Sequence, residues 1–209
     1  MNIPNAITAS RIVLAPVLFL VYFLPLWSGV FLQGSIVLIW IVFLYIEFSD
    51  MVDGELARRT NQVSDMGKVL DPFADVIAHL TCFLVLVASN LMPVWAFIII
   101  MYREFGIVFI RLLMYRKGVA LAARKGGKAK TVTYAIAVGS GFLLSSFQRA
   151  GMFEPEGALG LFTPLPLDAP AIVSVVSVIA LAAFTLAALL SLLSFIDYLR
   201  VFRNTDGAS

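Results

Sequence analysis

Four aspartates with regular spacing are the side chains of this sequence best suited to chemistry. They occur in the segment F-S-D-M-V-D-G-E-L-A-R-R and, after a short interval, in S-D-M-G-K-V-L-D-P-F-A-D-V. Asp50 and Asp53 are three residues apart and Asp71 and Asp75 are four apart, so each pair projects from one face of its helix. Carboxylates this close repel one another unless cations neutralise them, and they suit Mg²⁺ or Mn²⁺. The spacing predicts a divalent metal site and, because Mg²⁺ commonly shares its ligand shell with phosphates, a phosphate-containing substrate.

Basic side chains form a second group of candidates. Arg103, Glu104 and Arg111 lie in an otherwise apolar segment, where each charge costs about 2.5 to 3.5 kcal/mol in lipid. At about 100° per residue, all three fit one sector that faces the interior of a helix bundle. Lys128 and Lys130 begin the next helix and oppose its dipole, which is unfavourable unless an anion is held there. Together these cations indicate an anionic acceptor molecule.

Each pattern also has a simpler interpretation. The aspartates could be solvated helix ends that pair with nearby basic residues, and Arg103 and Glu104 could pair only for helix packing. The lysines could be ordinary cytoplasmic charges or contacts to anionic lipid. His79 follows Asp75 by four residues; we interpret it as an interior histidine held by packing or a hydrogen bond, with a role as a partner of Asp75 as the alternative.

The aspartates belong to a longer pattern of eight fixed residues, D-x2-D-G-x2-A-R-x8-G-x3-D-x3-D, from Asp50 to Asp75. The sequence thereby resembles the CDP-alcohol phosphatidyltransferase family, whose signature it matches without a substitution. Three further features resemble the bacterial phosphatidylglycerophosphate synthases within that family: the opening N-I-P-N-x-I-T-x-x-R, the charged residues of the fourth apolar segment, and the G-K-x-K-T entry to the fifth.

The resemblance implies a phosphoryl transfer that uses two divalent ions, Mg²⁺ or Mn²⁺, to hold the pyrophosphate of CDP-diacylglycerol. Glycerol 3-phosphate would attack, and phosphatidylglycerol phosphate and CMP would be the products. Asp75 would take the proton from the attacking hydroxyl, with Asp71 as the second catalytic carboxylate. The implied binding roles are metal binding by Asp50, Asp53, Asp71 and Asp75, donor nucleotide and phosphate binding by Asp53, Gly54, Ala57, Arg58 and Gly67, and acceptor phosphate binding by Arg103, Arg111, Lys128 and Lys130.

Two other functions stay open. Within the same family, the acceptor could be inositol phosphate, or CDP-choline or CDP-ethanolamine could donate to diacylglycerol. A cation transporter is the candidate from another class, with the four aspartates as its binding site. Transport sites usually lie near the middle of the bilayer at repeat interfaces, whereas these aspartates lie at helix ends and the sequence has no repeat.

The composition decides which elements must position these residues. Of 209 residues, 61% are hydrophobic and only 13% are charged, with a mean hydropathy of +0.96, which excludes a water-soluble globule. The uncharged stretch 12–46 would form a helix of about 52 Å at ~1.5 Å per residue, so it must fold back, and Pro25, Ser28 and Gly29 mark the turn. The predicted spans are 11–27, 30–49, 72–90, 93–115, 131–148 and 170–197.

We therefore expect one all-α integral membrane domain over residues 1–209. Its six transmembrane helices would surround a polar cavity open to the cytoplasm, and residues 1–10 would form a short interfacial helix. A single cysteine, Cys82, excludes an intrachain disulfide. Gly139, Ser140 and Gly141 indicate close helix contact, within the bundle or across a homodimer.

The distribution of charge predicts the orientation. Most Lys and Arg residues fall at one end of the predicted helices, and the positive-inside rule places that end in the cytoplasm. Both termini and the active site would then face the cytoplasm from the cell's inner membrane, and 150–170 would be an external loop. The small net charge of +2 gives no indication of nucleic-acid binding, so membrane lipids and the two substrates are the expected partners.

Overall fold

The chain is a bundle of long helices. The computed structural model describes residues 3–59, 65–116, 126–154 and 170–206, and leaves some side chains near the ends of these ranges outside the description. Six helices occupy the described residues: α1 (Ile3–Ser28), α2 (Gly34–Arg59), α3 (Asp65–Ala88), α4 (Val94–Arg116), α5 (Gly126–Arg149) and α6 (Ala171–Asp206). Every predicted span corresponds to one of these helices, so the all-α prediction is confirmed.

Residues in the left-handed conformation end three of the helices. Gly29, at φ 69°, follows α1, and its amide bonds to the carbonyl of Pro25. Asn90 and Gly151 take the same conformation after α3 and α5, where the amides of Leu91 and Met152 reach back five residues along their helices. This pairing satisfies helix-end carbonyls that would otherwise lack donors. The turns predicted near Gly29 and Asn90 are therefore confirmed, although Pro25 lies inside α1.

Helix α3 lies at the centre of the bundle. It contacts α1, α2, α4 and α5, whereas α6 packs against α4 and α5. The core around it is aromatic and aliphatic, with Phe83, Leu86, Tyr134 and Phe142 fully buried. The helix that carries Asp71 and Asp75 thus contacts four other helices, more than any other described helix does.

The outward surfaces of the bundle are apolar. Leu24, Phe109 and Leu193 are each more than half exposed, as are many other large hydrophobic side chains. Among the described residues, three helical segments are long and apolar enough to cross a membrane: Asn5–Ser28, Leu70–Ala88 and Ala171–Arg200. A shorter apolar segment, Gly34–Ser49, lies in α2. An apolar exterior around buried polar groups is the arrangement expected of a membrane protein.

The predicted separate interfacial helix over residues 1–10 is wrong. Helix α1 runs without interruption from Ile3 through Arg11 to Ser28. Arg11, the first residue of the predicted span 11–27, is 1% exposed because its side chain turns inward to an aspartate of α3. The ion pair turns Arg11 into the bundle, and α1 continues through Ser10 without a break.

Arg149 is the last residue of α5 and lies one position beyond the predicted span 131–148. It is buried, its guanidinium lies 4.4 Å from the Tyr22 ring centroid, and it donates to the Tyr22 carbonyl at 2.7 Å and to Ser35 Oγ at 2.6 Å. Since Tyr22 and Ser35 belong to α1 and α2, Arg149 joins three helices at the end of the bundle opposite the aspartates.

Candidate active site

The aspartate motif spans the adjoining ends of α2 and α3. Asp50 and Asp53 are in the last turns of α2, Asp71 and Asp75 are in the first half of α3, and five residues separate the two helices. The side chains of Asp50, Asp53, Gly54, Ala57 and Arg58 lie outside the described residues. Gly67, Asp71 and Asp75 are described and are partly buried in α3.

Asp71 is paired with α1. Arg11 Nη2 donates to Asp71 Oδ1 at 2.6 Å, and the aspartate side chain is 51% exposed while the arginine is buried. A buried guanidinium on one oxygen neutralises part of the carboxylate charge and fixes its direction. The sequence identifies Arg11 only as the last residue of the opening motif N-I-P-N-x-I-T-x-x-R, because nothing in the spacing of α1 connects it to a residue 60 positions away.

Asp75 is paired with His79 on the next turn of α3. His79 Nδ1 lies 2.8 Å from Asp75 Oδ1 and 3.0 Å from the Asp75 carbonyl oxygen. The other ring nitrogen, Nε2, lies 3.4 Å from Glu47 Oε1 of α2. The two carboxylates therefore approach the imidazole from opposite sides.

A buried ionic network joins α4 and α5. Glu104 Oε1 accepts from Arg103 Nη1 at 2.7 Å and from the Tyr134 hydroxyl at 2.9 Å, and lies 2.6 Å from Lys130 Nζ. Tyr134 has one hydroxyl hydrogen, which it gives to Glu104, so Ser191 of α6 donates to the Tyr134 oxygen at 2.6 Å. Two cations share one carboxylate, which leaves one positive charge in the network.

Arg111 has a different environment from Arg103. Its Nη2 donates to the Tyr198 hydroxyl of α6 at 3.3 Å, and its guanidinium carbon lies 5.8 Å from the centroid of that ring. It is partly buried, whereas Arg103 and Glu104 are fully buried. Of the four cations assigned to the acceptor phosphate, the structure joins Arg103 with Lys130, places Arg111 two turns along α4, and leaves the Lys128 side chain outside the described residues.

The ionic network and the aspartate motif adjoin each other at α3. The His79 and Tyr134 rings meet in an edge-to-face arrangement at a centroid distance of 5.7 Å, and Tyr134 in turn donates to Glu104 of the network. The functional neighbours that sequence reasoning missed are Arg11, Glu47, Tyr134, Ser191 and Tyr198. The one usable signal was the acidic Glu47 within an apolar helix, because an isolated charge at such a position needs a partner.

The donor set fits a divalent metal in part. Asp71 and Asp75 supply carboxylate oxygens one turn apart, which is the chemistry that Mg²⁺ and Mn²⁺ prefer. Among the described side chains, no group of three or more His, Cys, Asp or Glu residues forms a metal-binding cluster. The two α2 aspartates that would complete the set are outside that description, so the four-aspartate site stays a prediction.

Comparison with known proteins gives a consistent result. Residues 1–162 match the CDP-alcohol phosphatidyltransferase family. A Treponema pallidum protein named CDP-diacylglycerol–glycerol-3-phosphate 3-phosphatidyltransferase is 40% identical over 164 residues, or 76% of this chain and 74% of that protein. A Bacillus subtilis protein of the same name is 35% identical over 148 residues, covering 66% of this chain and 74% of its own length. A probable phosphatidylglycerophosphate synthase of Mycobacterium tuberculosis strain H37Rv is 33% identical over 138 residues, covering 66% and 64%.

Proposed function

Because this chain belongs to the CDP-alcohol phosphatidyltransferase family, we propose that it transfers the phosphatidyl group of CDP-diacylglycerol to glycerol 3-phosphate. The products are phosphatidylglycerol phosphate and CMP. The observation that carries the proposal is the 40% identity to a relative named for this reaction, across 74% of that relative. The choice of a phosphorylated acceptor is supported by the buried ionic network, in which two cations share the carboxylate of Glu104 and one positive charge is left over.

Asp75 is the proposed general base. It takes the proton from the sn-1 hydroxyl of glycerol 3-phosphate, whose oxygen forms a bond to the phosphorus that carries diacylglycerol. The bond from that phosphorus to the CMP oxygen breaks, and CMP leaves. Asp50, Asp53, Asp71 and Asp75 would hold two Mg²⁺ or Mn²⁺ ions, which would neutralise the pyrophosphate and the charge that develops on it.

The donor contacts are assigned to the α2 end of the motif and to Gly67. Gly54, Ala57 and Gly67 have small side chains or none, so the backbone can approach the cytidine closely. Arg58 and Asp53 would face the phosphates. Gly67 lies near the start of α3, four residues before Asp71.

The acceptor phosphate is assigned to Arg103, Arg111, Lys128 and Lys130. Arg103 Nη1 and Lys130 Nζ both bond to Glu104, but a guanidinium has five N–H donors and an ammonium has three, so both cations retain donors for a phosphate. Glu104 would hold the cations in place and keep them from binding anions without selectivity.

We further propose that all six helices cross the inner membrane around a cavity open to the cytoplasm. The three long apolar segments support three of these crossings. Helix α2 has a shorter apolar stretch, and the charges of α4 and α5 are turned inward at Arg103, Glu104 and Lys130. Both termini and the aspartate motif would lie on the cytoplasmic side, where water-soluble glycerol 3-phosphate is available, and the protein would work as a homodimer.

The decisive experiment measures the transfer of radiolabelled acceptors into lipid. Purified protein in detergent is given CDP-diacylglycerol and Mg²⁺ with glycerol 3-phosphate, inositol phosphate or serine, and a parallel reaction contains CDP-choline and diacylglycerol. We expect labelled phosphatidylglycerol phosphate and equimolar CMP only with glycerol 3-phosphate. Faster transfer to inositol phosphate, or from CDP-choline, would show that the substrate assignment is wrong within the same family.

A further inference from the structure

His79 is held on three sides at the edge of the aspartate motif. Its Nδ1 faces Asp75 Oδ1 at 2.8 Å, its Nε2 faces Glu47 Oε1 at 3.4 Å, and its ring packs edge to face with Tyr134. The imidazole is 4% exposed. Three helices, α2, α3 and α5, therefore surround one ring, and the approach of Glu47 to Nε2 is a charge contact and not a hydrogen bond.

Packing alone does not explain this arrangement. Moving a carboxylate or an imidazole from water into a protein interior costs several kcal/mol, and replacing a buried ion pair with apolar side chains is often neutral or stabilising. Most of the buried side chains near Glu47 and His79 on these helices, such as Ile46, Val76 and Phe83, are apolar. A leucine at position 79 would fill the same space without a polar group to satisfy.

We propose that His79 is a positioning residue that orients the carboxylate of Asp75, and that Glu47 acts through His79 by fixing the ring. This inference rests on the proposed function, in which Asp75 binds metal and removes the acceptor proton. A carboxylate is planar, so holding Oδ1 on the ring also sets the direction in which Oδ2 points. The hydrogen bond from Nδ1 thus presents the second oxygen of Asp75 to the reaction.

The same ring contacts both halves of the site, the aspartate motif through Asp75 and the ionic network of α4 and α5 through Tyr134. Tyr134, whose ring meets His79, donates to Glu104, and Glu104 bonds to Arg103 and Lys130. A shift of the His79 ring would therefore disturb the distance between the proposed base and the proposed phosphate-binding cations. Catalysis that depends on reacting groups held within about 0.5 Å is sensitive to such a shift.

The test compares His79→Leu, which removes both ring nitrogens, with His79→Asn, whose amide N–H lies close to the position of Nδ1. We expect His79→Leu to lower kcat by about 10 to 100-fold, as is typical when a partner of a metal-binding side chain is lost, with both KM values within about threefold of wild type. His79→Asn should recover most of this loss. Val85→Ala, at a buried site of α3 away from the motif, is the control for packing and should change thermal stability but not kcat.

A double-mutant cycle tests the part assigned to Glu47. If Glu47 acts only by holding the ring, Glu47→Leu should lower kcat less than His79→Leu, and the double variant should equal His79→Leu alone. Additive losses would overturn that part of the proposal. Equal losses in His79→Asn and His79→Leu would overturn the role of the Nδ1 hydrogen bond.

Mn²⁺ binding, followed by electron paramagnetic resonance on the purified protein without substrates, separates this inference from the proposed function. We expect His79→Leu to bind Mn²⁺ about tenfold more weakly than Val85→Ala, because the orientation of a metal-binding carboxylate is lost. If the wild type transfers nothing to glycerol 3-phosphate, the proposed function is wrong while this comparison still tests the positioning. Equal Mn²⁺ affinities together with equal kcat values would overturn the inference.

Discussion

At the scale of single residues, each of the three carboxylates Asp71, Asp75 and Glu104 has a cationic or imidazole partner in the described part of the site. Asp71 has Arg11, Asp75 has His79, and Glu104 has two cations. Such partners fix the direction of an oxygen atom before any ligand binds. They also explain how acidic groups are tolerated within an apolar bundle.

Asp75→Asn should lower kcat by about 10² to 10⁴-fold, because an amide can neither remove a proton nor contribute a negative charge to a metal site. The change is isosteric, so the thermal midpoint should stay close to that of the wild type. The measurement is the initial rate of CMP release at saturating substrates. Asp65→Asn, the same change at a variable position of the motif on α3, is the control, and a rate for Asp75→Asn within about tenfold of this control would contradict the assignment of the base.

Lys130→Ala should raise the KM for glycerol 3-phosphate by about 10 to 100-fold, which corresponds to ~1.5 to 3 kcal/mol from one charge-assisted contact. The KM for CDP-diacylglycerol should change little. Arg200→Ala removes an exposed cation of α6 and should leave both constants near the wild-type values. A lysine that served only membrane orientation would behave like Arg200, and one that bound the donor would shift the CDP-diacylglycerol constant instead.

The sequence predicts the members of the motif but not their partners. The spacing of Asp71 and Asp75 identifies one helix face, and the cost of Arg103 and Glu104 in lipid correctly places both in the interior. Arg11 and Glu47 could not be assigned in this way, because their partners lie on other helices and no local periodicity records which helices become neighbours. The sharing of Glu104 with Lys130 could not be predicted for the same reason, because Glu104 lies on α4 and Lys130 on α5.

At the scale of helices, small side chains decide how closely α5 approaches α3. A Cβ placed on Gly141 would overlap the buried side chain of Leu86, whereas at Gly139 the nearest atom, Phe43 Cε1, would be 3.8 Å away. The sequence motif Gly139–Gly141 predicts close contact but does not distinguish the two glycines, because they differ only in the neighbour that each faces. Of these two glycines, only Gly141 lies at the close contact between α5 and α3.

Gly141→Ala should therefore destabilise the protein by about 1 to 3 kcal/mol, the usual cost of adding a methylene to a filled core. Gly139→Ala has ordinary contact distances and should be neutral within about 1 kcal/mol, because alanine is the better helix former. Thermal inactivation of the purified protein in one detergent gives the comparison. A lower midpoint for Gly139→Ala than for Gly141→Ala would contradict the packing of α5 on α3.

At the scale of the whole molecule, the aspartate motif depends on two helix ends that must stay together despite mutual repulsion of their charges. Removing divalent ions with excess EDTA should abolish transfer, and adding Mg²⁺ or Mn²⁺ in excess over the chelator should restore it. Without cations, the four carboxylates would repel the pyrophosphate that they are proposed to hold. Full turnover in excess EDTA would rule out the two-metal site, and Ca²⁺ at the same ionic strength controls for non-specific charge effects.

The orientation of the bundle can be tested at its two ends with positions that the structure shows to be exposed. Glu154 follows α5, and Arg203 lies near the end of α6. Helix α6 has 36 residues, so at ~1.5 Å per residue it is longer than the ~30 Å hydrocarbon layer. Cys82 is the single cysteine of the chain, so each variant made in a Cys82→Ala background has one engineered thiol. The excess of Lys and Arg at the other end predicts that a membrane-impermeant maleimide labels Glu154→Cys in intact cells and labels Arg203→Cys only after permeabilisation. The reverse pattern would place the aspartate motif outside the cell, away from cytoplasmic glycerol 3-phosphate, and would overturn both the orientation and the proposed access of the acceptor.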